Sequence, residues 1–164
     1  MPDDHEQERT SGSGRPWERS SLPSPTIEFE RTFESFLGLH WLELAPDHAH
    51  VQFQVRDSLR QPLGLLHGGI ICAVAETVAS VATVNAVWRD GFSGSGLSNS
   101  ASFLRPITDG RVDVTAKLRS REGDEWLWSH EFHDEQQRLC ALVDVTFAVR
   151  PAPPELRAMQ PPPA

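Results

Sequence analysis

The sequence predicts an α+β domain in which an antiparallel sheet curls around one long central helix. Three observations predict it. The segment from about Ile70 to Trp88 is apolar nearly all round, so it must be covered on most sides. Two extended segments precede it, and the last third of the chain alternates apolar and polar residues in strand after strand. Two strands, one buried helix and four antiparallel strands make a two-layer solution with the sheet wrapped over the helix.

The elements follow in order. Residues 27–38 place Phe29, Phe33 and Phe36 or Leu37 at helical spacing and stop at Gly38, a short helix with a glycine cap. His40 to Leu44 and Ala49 to Val55 are extended, with Pro46-Asp47 as the turn between them. In the second segment Val51, Phe53 and Val55 alternate with His50, Gln52 and Gln54. Residues 56–66 form a loop, and the long helix begins after His67-Gly68-Gly69. Asp90-Gly91 and Ser93-Gly94-Ser95-Gly96 are expected to end that helix and form a flexible loop. Val112, Val114, Ala116 and Leu118 then share a face, as do Trp126, Trp128, His130 and Phe132. Leu139, Ala141, Val143, Val145, Phe147 and Val149 do the same in the last strand. The connections Arg121–Asp124 and Asp134–Gln137 are polar and of hairpin length.

Composition bounds the rest. Residues 1–26 carry only Trp17 and Leu22 as large apolar side chains, and residues 151–164 hold six of the thirteen prolines. Both ends read as disordered tails, which leaves 27–150 as one domain. The formal net charge of -8 argues against a nucleic-acid partner. The segment around 70–88 is interrupted by Glu76, Thr77, Ser80, Thr83 and Asn85, so it reads as a buried helix rather than a membrane span. Cys72 and Cys140 sit in apolar surroundings, as small core residues in a reducing compartment, and the acidic N-terminus does not resemble a signal peptide. A cytoplasmic protein is expected. One sheet covers only one side of a helix well, so a second copy should cover the remainder.

Two features carry chemistry. Glu76 lies inside IICAVAETVASVA, with no basic residue between Arg60 and Arg89, and its i±3 and i±4 neighbours Cys72, Ala73, Ala79 and Ser80 cannot neutralise it. An unpaired buried carboxylate costs several kcal/mol, a cost tolerated mainly where the charge is used. The plainer reading, that Glu76 reaches solvent or pairs with a distant arginine, stays open on pattern alone. Gly68 and Gly69 allow close backbone approach at a helix start and leave N–H groups for an oxyanion or polarised carbonyl. Many helices begin with glycine for steric reasons, and a lone histidine such as His67 is more often structural.

Together the residues are more specific. RQPLGLLHGGIICAVAETVAS resembles the segment that defines hotdog-fold thioesterases of the PaaI-like branch, including those acting on 4-hydroxybenzoyl-CoA and related aromatic acyl-CoA esters. Gln61, His67, Gly68, Glu76 and Ser80 match the family pattern in type and spacing, and Arg105-Pro106 resembles the end of its following strand. The resemblance covers about residues 35–150 and implies an acyl-CoA thioesterase. By it, the Gly68 N–H polarises the thioester carbonyl, with Gln61 and His67 near the same oxygen or the leaving group. Glu76 of the facing subunit attacks or activates water, and Ser80 positions that water or orients Glu76. Gly69, Phe103, Arg105 and Arg121 are the candidates for binding substrate, the arginines at the CoA phosphates. Relatives with aryl substrates often carry histidines where this chain has Phe103 and Leu104, which points to a more apolar acyl group. The expected assembly is a homodimer or a dimer of dimers.

No cofactor is expected, since coenzyme A enters as part of the substrate, and no metal site is expected either. His48-Ala49-His50 has no acidic residue at a compatible interval. A Gly-x-Ser-x-Gly elbow, a P-loop and a Gly-x-Gly-x-x-Gly turn are all missing from the sequence. A non-catalytic acyl-CoA-binding module would lack the acid that is present here as Glu76. A hydratase or dehydratase would need an Asp near His67.

Overall fold

The computed structural model describes residues 26–158. The expectation of an N-terminal tail therefore lies outside the described residues, apart from Thr26. The first helix is shorter than its spacing predicts: a 3-10 turn at Phe29–Arg31 is followed by α1, Phe33–Leu37. Thr32 separates them. Its backbone is extended, its hydroxyl donates to the Phe29 carbonyl (2.6 Å), and the same oxygen accepts the Ser35 N–H (3.3 Å). Gly38, in the left-handed region at φ 68°, ends α1. Leu37 is fully buried and pins this short helix to the core.

Strands β1 (His40–Leu44) and β2 (His48–Gln54) form a hairpin, and α2 spans Gly68–Val87. Then come β3 (Phe92–Phe103), β4 (Arg111–Glu122), β5 (Glu125–His133) and β6 (Leu139–Pro151). All pairings are antiparallel, in the order β1-β2-β4-β5-β6-β3, so β1 and β3 are the edges. The alternation read from sequence is realised on the face toward α2. Val51, Phe53, Val112, Val114, Trp128 and Phe132 on the sheet meet Val74, Ala75, Val78 and Ala82 on the helix, all essentially buried. Full burial of each large apolar side chain contributes about 1.5–3 kcal/mol. Trp128 Nε1 donates to Thr83 Oγ1 across this interface (2.9 Å), which satisfies both polar groups inside the core.

Two expectations are corrected. Residues 93–96 are not a flexible loop, because they pair with Phe147–Arg150 as the first part of β3. Gly94 serves close approach rather than a turn. A Cβ at Gly94 would lie 2.7 Å from Thr83 Cγ2. The C-terminal segment is also not wholly a tail: α3 (Pro154–Arg157) follows β6, and Ala152 is buried. The Ala152 N–H (2.9 Å) and Arg157 Nη2 (2.7 Å) both donate to the Gly91 carbonyl, which fastens this segment over the end of α2. Residues 159–164 lie outside the described residues.

β3 runs antiparallel to α2 along its length. Phe103 meets Gly68, Asn99 Nδ2 donates to the Cys72 carbonyl (3.0 Å), Gly96 faces Glu76 and Gly94 faces Thr83. Helix and edge strand thus form one exposed seam, and Gly68, Glu76 and Phe103 lie along it.

Candidate active site

His67 is the N-cap of α2 and is held on three sides. Its N–H donates to the Leu59 carbonyl (2.9 Å), its carbonyl accepts the Ile70 N–H (2.9 Å), and its Nδ1 accepts the Gly69 N–H (2.9 Å). In the neutral ring the proton therefore sits on Nε2. Among the described residues the Gly68 N–H has no acceptor, so it is the amide left free at the positive end of the helix. The Gly69 amide is spent on the His67 cap, so any contact of Gly69 with substrate would be made by other atoms of the residue.

The free amide opens onto a pocket of about 350 Å³. Gln61, Gly68 and Arg105 are its polar members, and Leu65, Ile71, Phe103 and Ile107 supply apolar walls. The loop carrying Gln61 is closed on itself: Gln61 N–H donates to the Leu65 carbonyl and Gly64 N–H to the Gln61 carbonyl, both at 2.8 Å. Gly64 makes that turn possible at φ 84°. On the other side, the Leu104 and Arg105 N–H groups both donate to the Cys140 carbonyl (2.8 and 3.0 Å). Arg105 Nη1 also donates to the Leu139 carbonyl (2.6 Å), so one end of its guanidinium is committed to structure. The Phe103 ring lies so close over the helix start that a Cβ at Gly68 would sit 3.0 Å from its Cζ.

Glu76 and Ser80 do not line this pocket. Glu76 is eight residues beyond Gly68, about 12 Å along the helix axis. It is exposed in the single chain and has no hydrogen bond or ion pair to any described residue. Burial of its surroundings, and then the charge of Glu34 on α1, raise its carboxyl above the usual range. Its Oε1 faces the β3 backbone, 3.4 Å from where a Cβ at Gly96 would be. Ser80 follows one turn later and is half-buried.

Arg121 is elsewhere. It stands ten residues after Arg111 on β4, roughly 30 Å from the pocket end of that strand. Its guanidinium lies 4.2 Å from the centre of the Trp126 ring. Within the chain Arg121 therefore lies apart from Arg105, although both are expected at the CoA phosphates, because β4 runs extended between them. Among the described residues no three His, Cys, Asp or Glu side chains are grouped to hold a metal. Sequence reasoning missed Glu34 and Gly96. For Gly96 the available signal was the strand expected to end near Arg105-Pro106, which extends backward through the glycines.

Comparison with known proteins places this geometry. The thioesterase superfamily model matches residues 63–141, from the Gln61 loop through α2 into β6. Rv1847 of Mycobacterium tuberculosis, named a candidate esterase, is 39% identical over 115 residues, covering 69% of this chain and 82% of that protein. The chain belongs to the thioesterase superfamily. Its fold is the hotdog fold. The structure of Rv1847 matches with a TM-score of 0.70 at 37% identity, over 74% of this chain and 98% of that one. The thioesterase enzyme SAV0944 of Staphylococcus aureus, solved with a glutamine replaced by alanine, matches with a TM-score of 0.68 at 25% identity, over 71% and 97%. A hypothetical thioesterase protein of Streptococcus pneumoniae solved with coenzyme A shares the fold alone, with a TM-score of 0.63 at 15% identity over 69% and 86%.

Proposed function

We propose that this thioesterase-superfamily chain hydrolyses acyl-CoA thioesters at a site completed by two copies of itself. One observation carries the reading: the free Gly68 amide and the unpartnered Glu76 lie on one helix, about 12 Å apart. They cannot act on a single carbonyl within one chain. A second chain laid antiparallel along the exposed seam would bring its Glu76 to this Gly68. Several features support that arrangement. Strand β3 is an exposed edge, and α2 presents the small residues Gly69 and Ala73 beside Glu76 at the open face. SAV0944 was solved with a glutamine and, separately, a glutamate replaced by alanine, and those positions are fifteen apart, the separation of Gln61 and Glu76.

The chemistry follows from the groups. The acyl carbonyl oxygen accepts the Gly68 N–H, where the helix dipole stabilises developing negative charge. In this reading the Gln61 amide, which lines the pocket, and the His67 Nε2–H help at the same oxygen or at the sulfur. Glu76 of the facing chain removes a proton from water while the water oxygen bonds to the carbonyl carbon. The C–S bond then breaks, the sulfur takes up the proton, and free acid and CoA thiol leave. Direct attack by Glu76 would give a mixed anhydride that water later opens, with the same products. Ser80, one turn on, orients the carboxylate or its water.

Apolar pocket walls at Leu65, Ile71, Phe103 and Ile107 favour an aliphatic or unsubstituted aryl acyl group. Arg105 is the candidate for a CoA phosphate. The S. pneumoniae protein solved with coenzyme A lends the carrier the support of a shared fold. We place the protein in the cytoplasm, where the unpaired Cys72 and Cys140 would stay reduced.

The test is thiol release from a panel of acyl-CoA esters, aromatic and short to long aliphatic, with wild type beside Glu76→Gln. Turnover that falls about 10²-fold or more in kcat in the variant supports the reading. A wild type inert on every ester, or a variant equal to it, would move an acyl-CoA-binding role into first place.

A further inference from the structure

Among the glycines of β3, Gly94 and Gly96 differ in what they leave room for. Gly94 is explained by packing, since an added Cβ would collide with Thr83 Cγ2 at 2.7 Å. Gly96 is not explained that way. Its φ lies outside the left-handed region, so its backbone does not call for glycine. An added Cβ would meet Glu76 Oε1 at 3.4 Å and Phe147 Cζ at 3.9 Å, both ordinary contacts. Glycine inside a strand also weakens it. What the missing Cβ leaves empty is the volume beside one oxygen of Glu76.

The strand is shaped around that volume. Gly96 pairs with Phe147 and Ser98 with Thr146, so Leu97 is the extra residue of a bulge next to Glu76. Bulges kink an edge strand and re-aim its backbone beside active sites. A water hydrogen-bonded to Oε1 needs a site about 2.6–3.2 Å from it. A methyl group 3.4 Å from the same oxygen would overlap such a site on the β3 side of the carboxylate. No other ionisable side chain comes from this strand, because FSGSGLSNSASF contains none.

We infer that Gly96 is a positioning residue for hydrolysis, holding open the seat of the attacking water against Glu76 Oε1. The inference rests on the thioesterase reading above and adds to it where the water sits. With the seat filled, the substrate still binds, but Glu76 has no water to deprotonate. The loss therefore falls on kcat rather than KM.

The test uses the full chain with Gly96→Ala and Gly96→Ser, assayed on whichever ester the wild type turns over best. Melting temperature and sedimentation are measured on the same samples. The expected result is a kcat lower by at least about tenfold, KM within about twofold, and wild-type assembly and melting temperature in at least one variant. An assembled variant with wild-type kcat overturns the inference. So does failure of both variants to assemble, which would assign the glycine to packing between chains. A wild type without turnover on any ester strikes at the thioesterase reading itself, and is thereby distinguished from a failure confined to Gly96.

Discussion

His67 Nδ1 accepts the Gly69 amide hydrogen at 2.9 Å, and this one bond decides which helix amide remains for a carbonyl oxygen. A Cβ at Gly69 would lie 3.0 Å from the same nitrogen, so the cap and the glycine are fitted to each other. His67→Ala should cost about 1 kcal/mol through loss of the cap and leave two amides competing at the helix start. Gly69→Ala should displace the ring and reproduce most of that effect. The double variant is then expected to match the worse single variant rather than the sum, since both remove one bond. Thermal melts and kcat/KM on the four proteins check this, and simple additivity would separate the two residues.

A site divided between chains makes a sharper prediction. Glu76→Gln and Gln61→Ala, each nearly inactive alone, should recover activity when mixed and allowed to exchange subunits. In the mixed dimer one site carries both defects and the other carries neither. Up to half the wild-type activity per mixed dimer is expected. Equal inactivity of the mixture, with exchange shown by differently tagged chains, would put both residues in sites confined to one chain.

How far the sequence could be read divides along physical lines. Strand faces were legible because burial imposes a period of two, and Val51–Phe53 and Trp126–Phe132 obey it. Gln61, Gly68 and Glu76 stood out in the sequence because their types and spacing resemble the hotdog-thioesterase pattern. Residues 93–96 were not, because glycine and serine signal a turn by composition while here they permit a close crossing of Thr83. The role of Gly69 could not be read, since it depends on the rotamer of His67. The separation of Arg121 from Arg105 was not legible either, because sequence distance hides how far an extended strand reaches.

The raised carboxyl of Glu76 gives a pH prediction. Either role requires the charged form, so activity falls as pH falls through its pKa. Burial and Glu34 both push that pKa up, which places the acid limb of kcat/KM above the ordinary carboxylate range. Glu34→Gln removes one cause and should move the limb to lower pH, whereas Glu34→Asp should hold it near the wild-type position. A limb that stays in place in Glu34→Gln would leave burial as the whole cause.

His130 offers a test of stability separate from the site. It is fully buried on β5, and its Nδ1–H donates to the Val143 carbonyl at 3.1 Å. Its Nε2 has no hydrogen-bond partner among the described residues. Burial, the largest cause, lowers its pKa to about 4, against an ordinary value of 6.5. The sign follows from proton binding. Above pH 6.5 neither folded nor unfolded chain is protonated here, and this histidine exerts no pH-dependent effect. Between 6.5 and about 4 the unfolded chain takes up the proton and the folded chain does not, so stability is lost as pH falls. The full loss is roughly 3 kcal/mol, reached near pH 4. His130→Phe keeps an aromatic ring in the core without a titrating nitrogen. Urea unfolding of both proteins at pH 7.5 and at about pH 4.5 should show the variant losing less stability on acidification. Carboxylates such as Asp113, whose pKa is lowered by Gln52, His50 and Arg111 against the opposing effect of burial, contribute to the acid slope of both proteins. The difference between the two slopes therefore isolates His130, and equal slopes would mean that the ring can be protonated without leaving the fold.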